Sequence, residues 1–319
     1  MRIKDAKKFD TKDFINRKIK EISDTVGNGI AISALSGGVD SSTTTLLGYR
    51  ALGERLKTYF IDDGLMRENE PQKVIEIFRK LGVKVKIIDA REQFFNALKG
   101  ITDPEAKREC ITQTFYRDVF SKLIKESGAK YLLQGTILTD IEETVAGIKR
   151  QHNVFEQLGI NPQEAFGYKI IEPIKELRKD GVRKVAKALG LPEELRARIP
   201  FPGPGLATRV IGEVTPEKIE LVRKATSIVE EELARTKAFQ YLAVLHEDRV
   251  TGIKEGKRKF GYQIEVRCWE SKDARVATPT KLHFEILEKL ARRIVTELPE
   301  VVSVTYNITP KPPSTIEAV

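Results

Sequence analysis

The sequence predicts an α/β protein. A mostly parallel sheet with helices on both faces is expected over residues 1–199, and a smaller C-terminal α+β domain over 200–319. Three observations predict it. Short β-type runs alternate with helical periodicity through the first part of the chain, which is the signature of βαβ units. Pro200, Pro202, Gly203, Pro204 and Gly205 then form a rigid, irregular segment that reads as a boundary. Beyond it the pattern changes to two helices and a few strands, the make-up of a small antiparallel or mixed sheet with helices.

Residues 30–35, IAISAL, are an apolar run flanked by glycines and read as a buried parallel strand. A glycine turn leads into a helix over Ser41–Leu52, and Lys57–Ile61 is the next strand. Val74, Ile77, Phe78 and Leu81 recur at i, i+3, i+4 and i+7, so 70–81 is an amphipathic helix, and Gly82 stands at its C-cap. Residues 83–88 alternate as a strand. Helical patterns follow at 91–99 and 109–127, with strands at Tyr131–Gln134 and Tyr168–Ile171. The pattern weakens over 136–167, a polar stretch of the kind that forms a lid or binding loop. Past the boundary a helix is expected at 216–236, strands at 240–246 and 260–268, a helix at 279–297 and a last strand at 301–308. No internal repeat is evident.

The chain has 319 residues, 40% hydrophobic and 32% charged, enough to bury a core and remain soluble. No apolar run approaches the ~18 residues of a membrane span, and the start MRIKDAKKFD has no apolar h-region, so neither a membrane anchor nor a secretory signal is expected. Cys110 and Cys268 are too few for a disulfide framework and fit reduced thiols in a cytoplasmic protein. The net charge of +9 is open to three readings: a nucleic-acid surface, attraction of phosphorylated small molecules, or a charge-rich surface of thermophile type. Acids and bases are interspersed without a block of one sign, so charge decides nothing by itself.

Ser36-Gly37-Gly38-Val39-Asp40-Ser41-Ser42 follows the first strand and opens a helix. Glycines let a backbone approach phosphate oxygens, and unpaired N–H groups at a helix start point at them along a favourable dipole. Ser36, Ser41 and Ser42 add hydroxyl donors. Bare phosphate would repel Asp40, so a Mg²⁺ between the two makes chemical sense. The usual NTPase loop, G-x-x-x-x-G-K-[ST], is absent.

The SGGVDSS segment resembles the pyrophosphate loop of the ATP pyrophosphatases, which adenylate a substrate oxygen and release pyrophosphate. Further segments resemble one branch, the GMP synthetases: Phe60-Ile61-Asp62-Asp63-Gly64-Leu65-Met66-Arg67, Asp103-Pro104-Glu105-Ala106-Lys107-Arg108, Gln134-Gly135-Thr136, IKRQHNV with Lys149 and His152, Pro200 through Leu206 with Arg209, and Lys311-Pro312-Pro313-Ser314-Thr315-Ile316-Glu317. Gln151 stands where a second histidine is usual, and Ala318-Val319 where Trp-Glu is usual. Taken singly, Asp62-Asp63 also fit a strand-end turn, His152 a structural histidine, the prolines a stiff linker, and Arg209 and Lys311 solvated charges. Their joint order along one chain favours the resemblance.

The resemblance implies a reaction in which the xanthine C2 oxygen of XMP attacks the α-phosphorus of ATP. Pyrophosphate leaves, and ammonia then displaces AMP to give GMP. It implies that Ser36, Gly37, Gly38, Val39, Asp40, Ser41, Ser42, Phe60 and Gly135 bind ATP or pyrophosphate, and that Asp40 holds Mg²⁺. Asp40, Lys149 and His152 would be catalytic, the last two on a lid at about 136–167, with Asp140 and Glu143 matching acidic positions at its start. Arg209, Lys311 and Glu317 would bind XMP, and the C-terminal domain would form a homodimer. Glutamine-dependent members carry a cysteine in a glycine-rich elbow; Cys110 in RECIT and Cys268 in VRCWE have no such setting, so a separate glutamine amidotransferase subunit is expected. Two alternatives remain: a tRNA-thiolating adenylyltransferase of the same superfamily, which would usually pair its cysteines, and a basic nucleic-acid-binding protein. Neither accounts for the tail, so a nucleic-acid partner is not expected.

Overall fold

The computed structural model describes residues 9–145, 168–236, 238–272 and 274–318. They form two compact units. The first comprises residues up to Asp62 with Pro71–Asp89 and Phe115–Arg198; the second comprises Asp63–Glu70, Ala90–Thr114 and Ile199–Val319. A single cut at 199/200 therefore misses two excursions, each tied to the later part of the second unit by a hydrogen bond. Leu206 N donates to Leu65 O at 2.7 Å, and the buried Lys107 Nζ donates to Val210 O at 2.9 Å. At Gly205 the backbone φ is +62°, and a Cβ there would lie 2.4 Å from Leu65 O, so only glycine admits this approach.

The first unit opens with α1 (Thr11–Val26), β1 (Ala31–Ala34), α2 (Val39–Leu52), β2 (Leu56–Asp62), α3 (Glu70–Lys80) and β3 (Val85–Asp89). After α4 (Arg91–Leu98) and α5 (Pro104–Gln113), which belong to the second unit, come a π-helical turn Thr114–Phe120, α6 (Ser121–Ser127), β4 (Tyr131–Leu133), α7 (Leu138–Val145), β5 (Lys169–Ile171), α8 (Lys179–Ala188) and a single turn α9 (Glu193–Arg196). The five strands are parallel in the order β3-β2-β1-β4-β5. Ala31, Phe60 and Leu133 share one core with Phe14 and Ile22 of α1, Leu47 of α2 and Val185 of α8. Ile32, Ile61 and Leu132 alternate to the opposite face and are also buried, so helices cover both faces. Each fully buried phenylalanine here contributes about 1.5–3 kcal/mol. The strand order reverses between β1 and β4, and this is where such sheets leave a crevice at their carboxyl ends.

The second unit continues with a 3₁₀ turn Gly205–Arg209, α10 (Pro216–Leu233), β6 (Gln240–Lys254), β7 (Lys257–Ser271), β8 (Ala277–Pro279), α11 (Phe284–Glu297) and β9 (Val301–Tyr306). β6 runs antiparallel to β7, with a bulge between His246 and Arg249. On its other edge β7 pairs β8 antiparallel and β9 parallel, so the sheet is mixed. Leu242, Val244, Trp269, Ala277 and Ile316 form a core beneath the C-terminal tail.

Several elements differ from expectation. α1 is present although no element was expected there: Asp10 accepts the Lys12 and Asp13 amides and caps it, and Phe14, Ile15, Ile22 and Val26 are buried. The 109–127 helix is in fact α5, the π turn and α6, since Asp103 caps a helix starting at Pro104. The helix expected from 279 begins at Phe284. Residues 136–145 are not irregular but hold α7, and α8, unanticipated, buries Val182, Val185 and Ala186. Among the described residues no helix is long and apolar enough to cross a membrane.

Candidate active site

β1 ends at Ala34, and the chain turns through Leu35–Gly38 into α2 at the strand-order reversal. The turn is built by its own hydroxyls. Ser41 Oγ accepts from Ser36 N at 3.2 Å, lies 2.9 Å from Ser36 Oγ and donates to Gly38 O at 3.1 Å. Gly37 has φ +75°. The N-cap, Gly38, offers no side chain to the first turn of α2. Among the described residues no side chain caps the first N–H groups of α2, which suits them to an external acceptor, and the helix dipole favours an anion there.

The loop after β4 closes against this helix start. A Cβ on Gly135 would meet Asp40 C and Ser41 N, each at 3.0 Å, so the absence of a side chain is what allows the approach. Gly135→Ala is expected to push the two loops apart by a few tenths of an ångström. ATP affinity measured by calorimetry should fall at least about tenfold, because N–H donors displaced by that much misalign with phosphate, while the melting temperature changes little.

Asp40 is the charged centre of this region. Its Oδ2 takes Lys179 Nζ from the start of α8 at 2.6 Å, and its Oδ1 is buried without a hydrogen-bond partner among the described residues. Burial pushes the carboxyl up from its ordinary value; Lys179 opposes that, the nearby Asp140 adds to it and Arg183 opposes it. A carboxylate oxygen without a partner among the described residues, beside a helix start whose dipole favours an anion, suits a cation that also holds phosphate. No cluster of three acidic, histidine or cysteine ligands occurs among the described residues. Asp40 could hold Mg²⁺ there, since Mg²⁺ commonly binds one or two carboxylates together with phosphate oxygens and water. Lys179 and Arg183 escaped the sequence reading; the available signal was the basic run RKDGVRK opening a helix just after a strand.

Other expected residues fare differently. Ser36 is exposed and Ser41 half-buried at the loop, but Ser42 is wholly buried and its hydroxyl has no partner among the described residues. The Phe60 ring lies in the core, so any contact it makes with a ligand must come from its main chain. Asp140 Oδ2 accepts from Ile137 N at 3.0 Å and closes the start of α7. Lys149 and His152 lie outside the described residues, as does most of the expected lid, and nothing is described of the Glu143 side chain.

In the second unit Arg209 and Glu317 come together: Arg209 Nε and Nη2 donate to the carboxylate at 3.1 and 3.3 Å, and Gln240 Nε2 donates to it at 2.6 Å. Arg209 is completely buried, so a solvated surface charge is excluded for it. Its guanidinium lies 4.9 Å from the Phe201 ring centroid, and that of Arg67 lies 4.2 Å from the same ring. Both arginines leave Nη1 buried without a partner among the described residues, two donors suited to an anion. Arg67 was visible in the motif but not singled out. Lys311 is not part of this cluster; its Nζ donates to Ala274 O at 2.8 Å.

Cys110 Sγ donates to Ala97 O at 3.2 Å, and burial pushes the Cys268 thiol up. A nucleophilic cysteine needs the opposite shift.

Residues 9–115 match the family described as NAD synthase, and residues 227–318 match GMP synthase C terminal domain. One subunit of the GMP synthase (glutamine-hydrolyzing) of Methanopyrus kandleri is 45% identical over 97% of this chain and 99% of the relative. The GMP synthase (glutamine-hydrolyzing) of Pyrobaculum aerophilum, not named as a subunit, is 47% identical over 96% of this chain but only 61% of the relative. The corresponding subunit from Archaeoglobus fulgidus is 52% identical over 97% of this chain and 99% of its own length, and at that identity and coverage the chain belongs to the GMP synthase (glutamine-hydrolyzing) family, as one of its subunits.

Proposed function

We propose that the chain synthesises GMP from XMP, ATP and ammonia, releasing AMP and pyrophosphate through an adenyl-XMP intermediate. The observation that carries this reading is the uncapped start of α2 with the orphaned Asp40 oxygen at the strand-order reversal. A carbonyl oxygen is a poor leaving group, and adenylation makes it a good one. The α2 amides, Ser36 and Ser41 hold the leaving pyrophosphate, so catalysis is mainly positioning and electrostatic stabilisation. Mg²⁺ held by Asp40 and the phosphates would neutralise their charge. Lys149 and His152, by resemblance, cover the triphosphate and keep water from the adenylate. Arg209 and Arg67, each with an Nη1 without a partner among the described residues, suit the 5′-phosphate of XMP, and Lys311, held apart from them on the Ala274 carbonyl, is by resemblance a further XMP contact.

The partners follow. The relatives that match over nearly their whole length are named as one subunit of a glutamine-hydrolyzing enzyme, which supports a separate glutaminase subunit as the source of ammonia. A homodimer through the second unit follows from the resemblance, and Ile253, Phe260, Phe284 and Ile308 are exposed on that unit. Cys110 and Cys268, neither in a disulfide, support a cytoplasmic location. The thiolation alternative is not favoured, because Cys268 is buried with its thiol pushed up.

The test is the nitrogen source. The chain alone is expected to turn over with ammonium, faster as pH rises and NH₃ replaces NH₄⁺, and not with glutamine. Addition of the glutaminase subunit should confer glutamine use. Glutamine-driven GMP formation by this chain alone would refute the assignment of the glutaminase to a second polypeptide.

A further inference from the structure

The tail beyond β9 leaves the sheet and is irregular apart from one bridge, in which Lys311 and Ala277 exchange backbone bonds at 2.8 and 3.1 Å. Past Lys311 a backbone bond from Ser314 N to Pro310 O at 3.0 Å closes a turn, and side chains anchor the rest. Ile316 enters the core, and Glu317 is taken by Arg209 and Gln240. Between these anchors Arg267, nearly buried on β7, donates Nη1 to Thr315 O at 3.0 Å and to Ile316 O at 3.4 Å. Its Nε donates to Glu265 Oε1 at 2.5 Å. One rigid guanidinium fork thus ties the sheet to two successive tail carbonyls, which a lysine ammonium, a point donor, does less well.

Glu265 is itself fixed from three sides. His246 Nε2 lies 2.8 Å from Oε2, and Asn307 Nδ2 donates to Oε1 at 2.9 Å. Burial pushes this carboxyl up, but the bonds from His246 and Asn307 and the Arg267 charge outweigh that and bring it down to about 2. Glu265 is therefore a permanent counter-charge. It satisfies Arg267 locally, so this guanidinium does not compete with Arg209 for Glu317, and a buried charge left unpaired would be costly.

We propose that Arg267, oriented by Glu265, is a positioning residue for XMP: it sets the 315–317 backbone and so the placing of Glu317 against Arg209. The inference rests on the reading of Arg209 and the tail as the XMP site. Neither Arg267 nor Glu265 carries a local sequence signal, because, apart from each other, their partners lie 42 and 48 residues away or across the sheet.

The test is steady-state kinetics with ammonium, XMP and ATP varied separately, on Arg267→Lys, Glu265→Gln and, as a control on the site itself, Lys311→Ala. Arg267→Lys is expected to raise the KM for XMP about tenfold or more while kcat at saturating XMP stays within about twofold, the pattern of lost binding that is uniform between ground and transition state. The KM for ATP should not move. Glu265→Gln should shift the XMP KM in the same direction by less, and it decides on the same readout if Arg267→Lys does not fold. Parallel rises in both KM values would mean a merely structural role and overturn the proposal. So would an unchanged XMP KM while Lys311→Ala raises it. An unchanged XMP KM in all three variants would overturn the tail as XMP site, and this proposal with it.

Discussion

Asp40→Asn is expected to yield a folded protein that makes GMP about a hundredfold or more slowly, at any Mg²⁺ concentration. Asparagine keeps the shape and one acceptor oxygen but removes the charge. The loss should be of the size seen when one preorganised electrostatic group is taken from an active site, about 10²–10³ in turnover. The fold should survive because folding raises the pKa of this carboxyl. A raised carboxyl pKa means that ionisation works against stability once pH exceeds it, so removing the charge spares a penalty at neutral pH. Lys179 loses an ionic partner but is itself half-exposed and keeps access to water. The check is initial rates across a Mg²⁺ titration together with thermal melts. Near-wild-type GMP formation at saturating Mg²⁺ would remove Asp40 from the catalytic centre.

Lys311→Ala should raise the XMP requirement strongly and leave ATP binding nearly unchanged. Among the described residues Lys311 Nζ is held by the Ala274 carbonyl, a neutral acceptor that a phosphate dianion outbids. The tail around it is fixed through backbone and other side chains, by the bridge to Ala277 and by Arg267. Truncation at Cβ should therefore not release the tail. Losing one charged phosphate contact costs about 1.5–3 kcal/mol, roughly ten- to hundredfold in affinity. Lys311 is a better probe than Arg209, because Arg209 is wholly buried against Glu317 and its removal would leave that carboxylate without its cation. Calorimetry with each nucleotide separately measures the effect. If ATP binding falls as much as XMP binding, Lys311 maintains the fold and does not contact substrate.

Much of this was legible from local patterns. β1 and the glycine turn were readable because a buried parallel strand is an unbroken apolar run and phosphate loops need glycine and serine at a helix start. α3 announced itself by the spacing of Val74, Ile77 and Phe78. α1 carried a comparable signal in Asp10, Phe14, Ile15 and Ile22, obscured by the interleaved charges of NRKIKEIS. What could not be read locally was pairing at a distance. Lys179 lies far from Asp40 in sequence, and only the order β3-β2-β1-β4-β5 brings the start of α8 to it. The same holds for Arg267 and Thr315, and for the Lys107 ammonium on Val210. The division into units was obscured too, since 63–70 and 90–114 follow strands and helices of the first unit but pack with the second. A motif likewise does not say which atoms it presents. Phe60 belongs to a family segment, yet its ring is core, and Ser42 points its hydroxyl into the protein.

The central claim is that the xanthine oxygen is adenylated before nitrogen enters. The most direct measurement uses XMP carrying heavy oxygen at C2, incubated with ATP, Mg²⁺ and ammonium, with mass spectrometry of all products. The oxygen that attacks the α-phosphorus leaves with AMP. The expected result is one heavy oxygen in each AMP, none in pyrophosphate, and GMP, AMP and pyrophosphate formed in equal amounts. Heavy oxygen released to water, or ATP cleaved to AMP without label, would contradict adenylation of XMP by this chain.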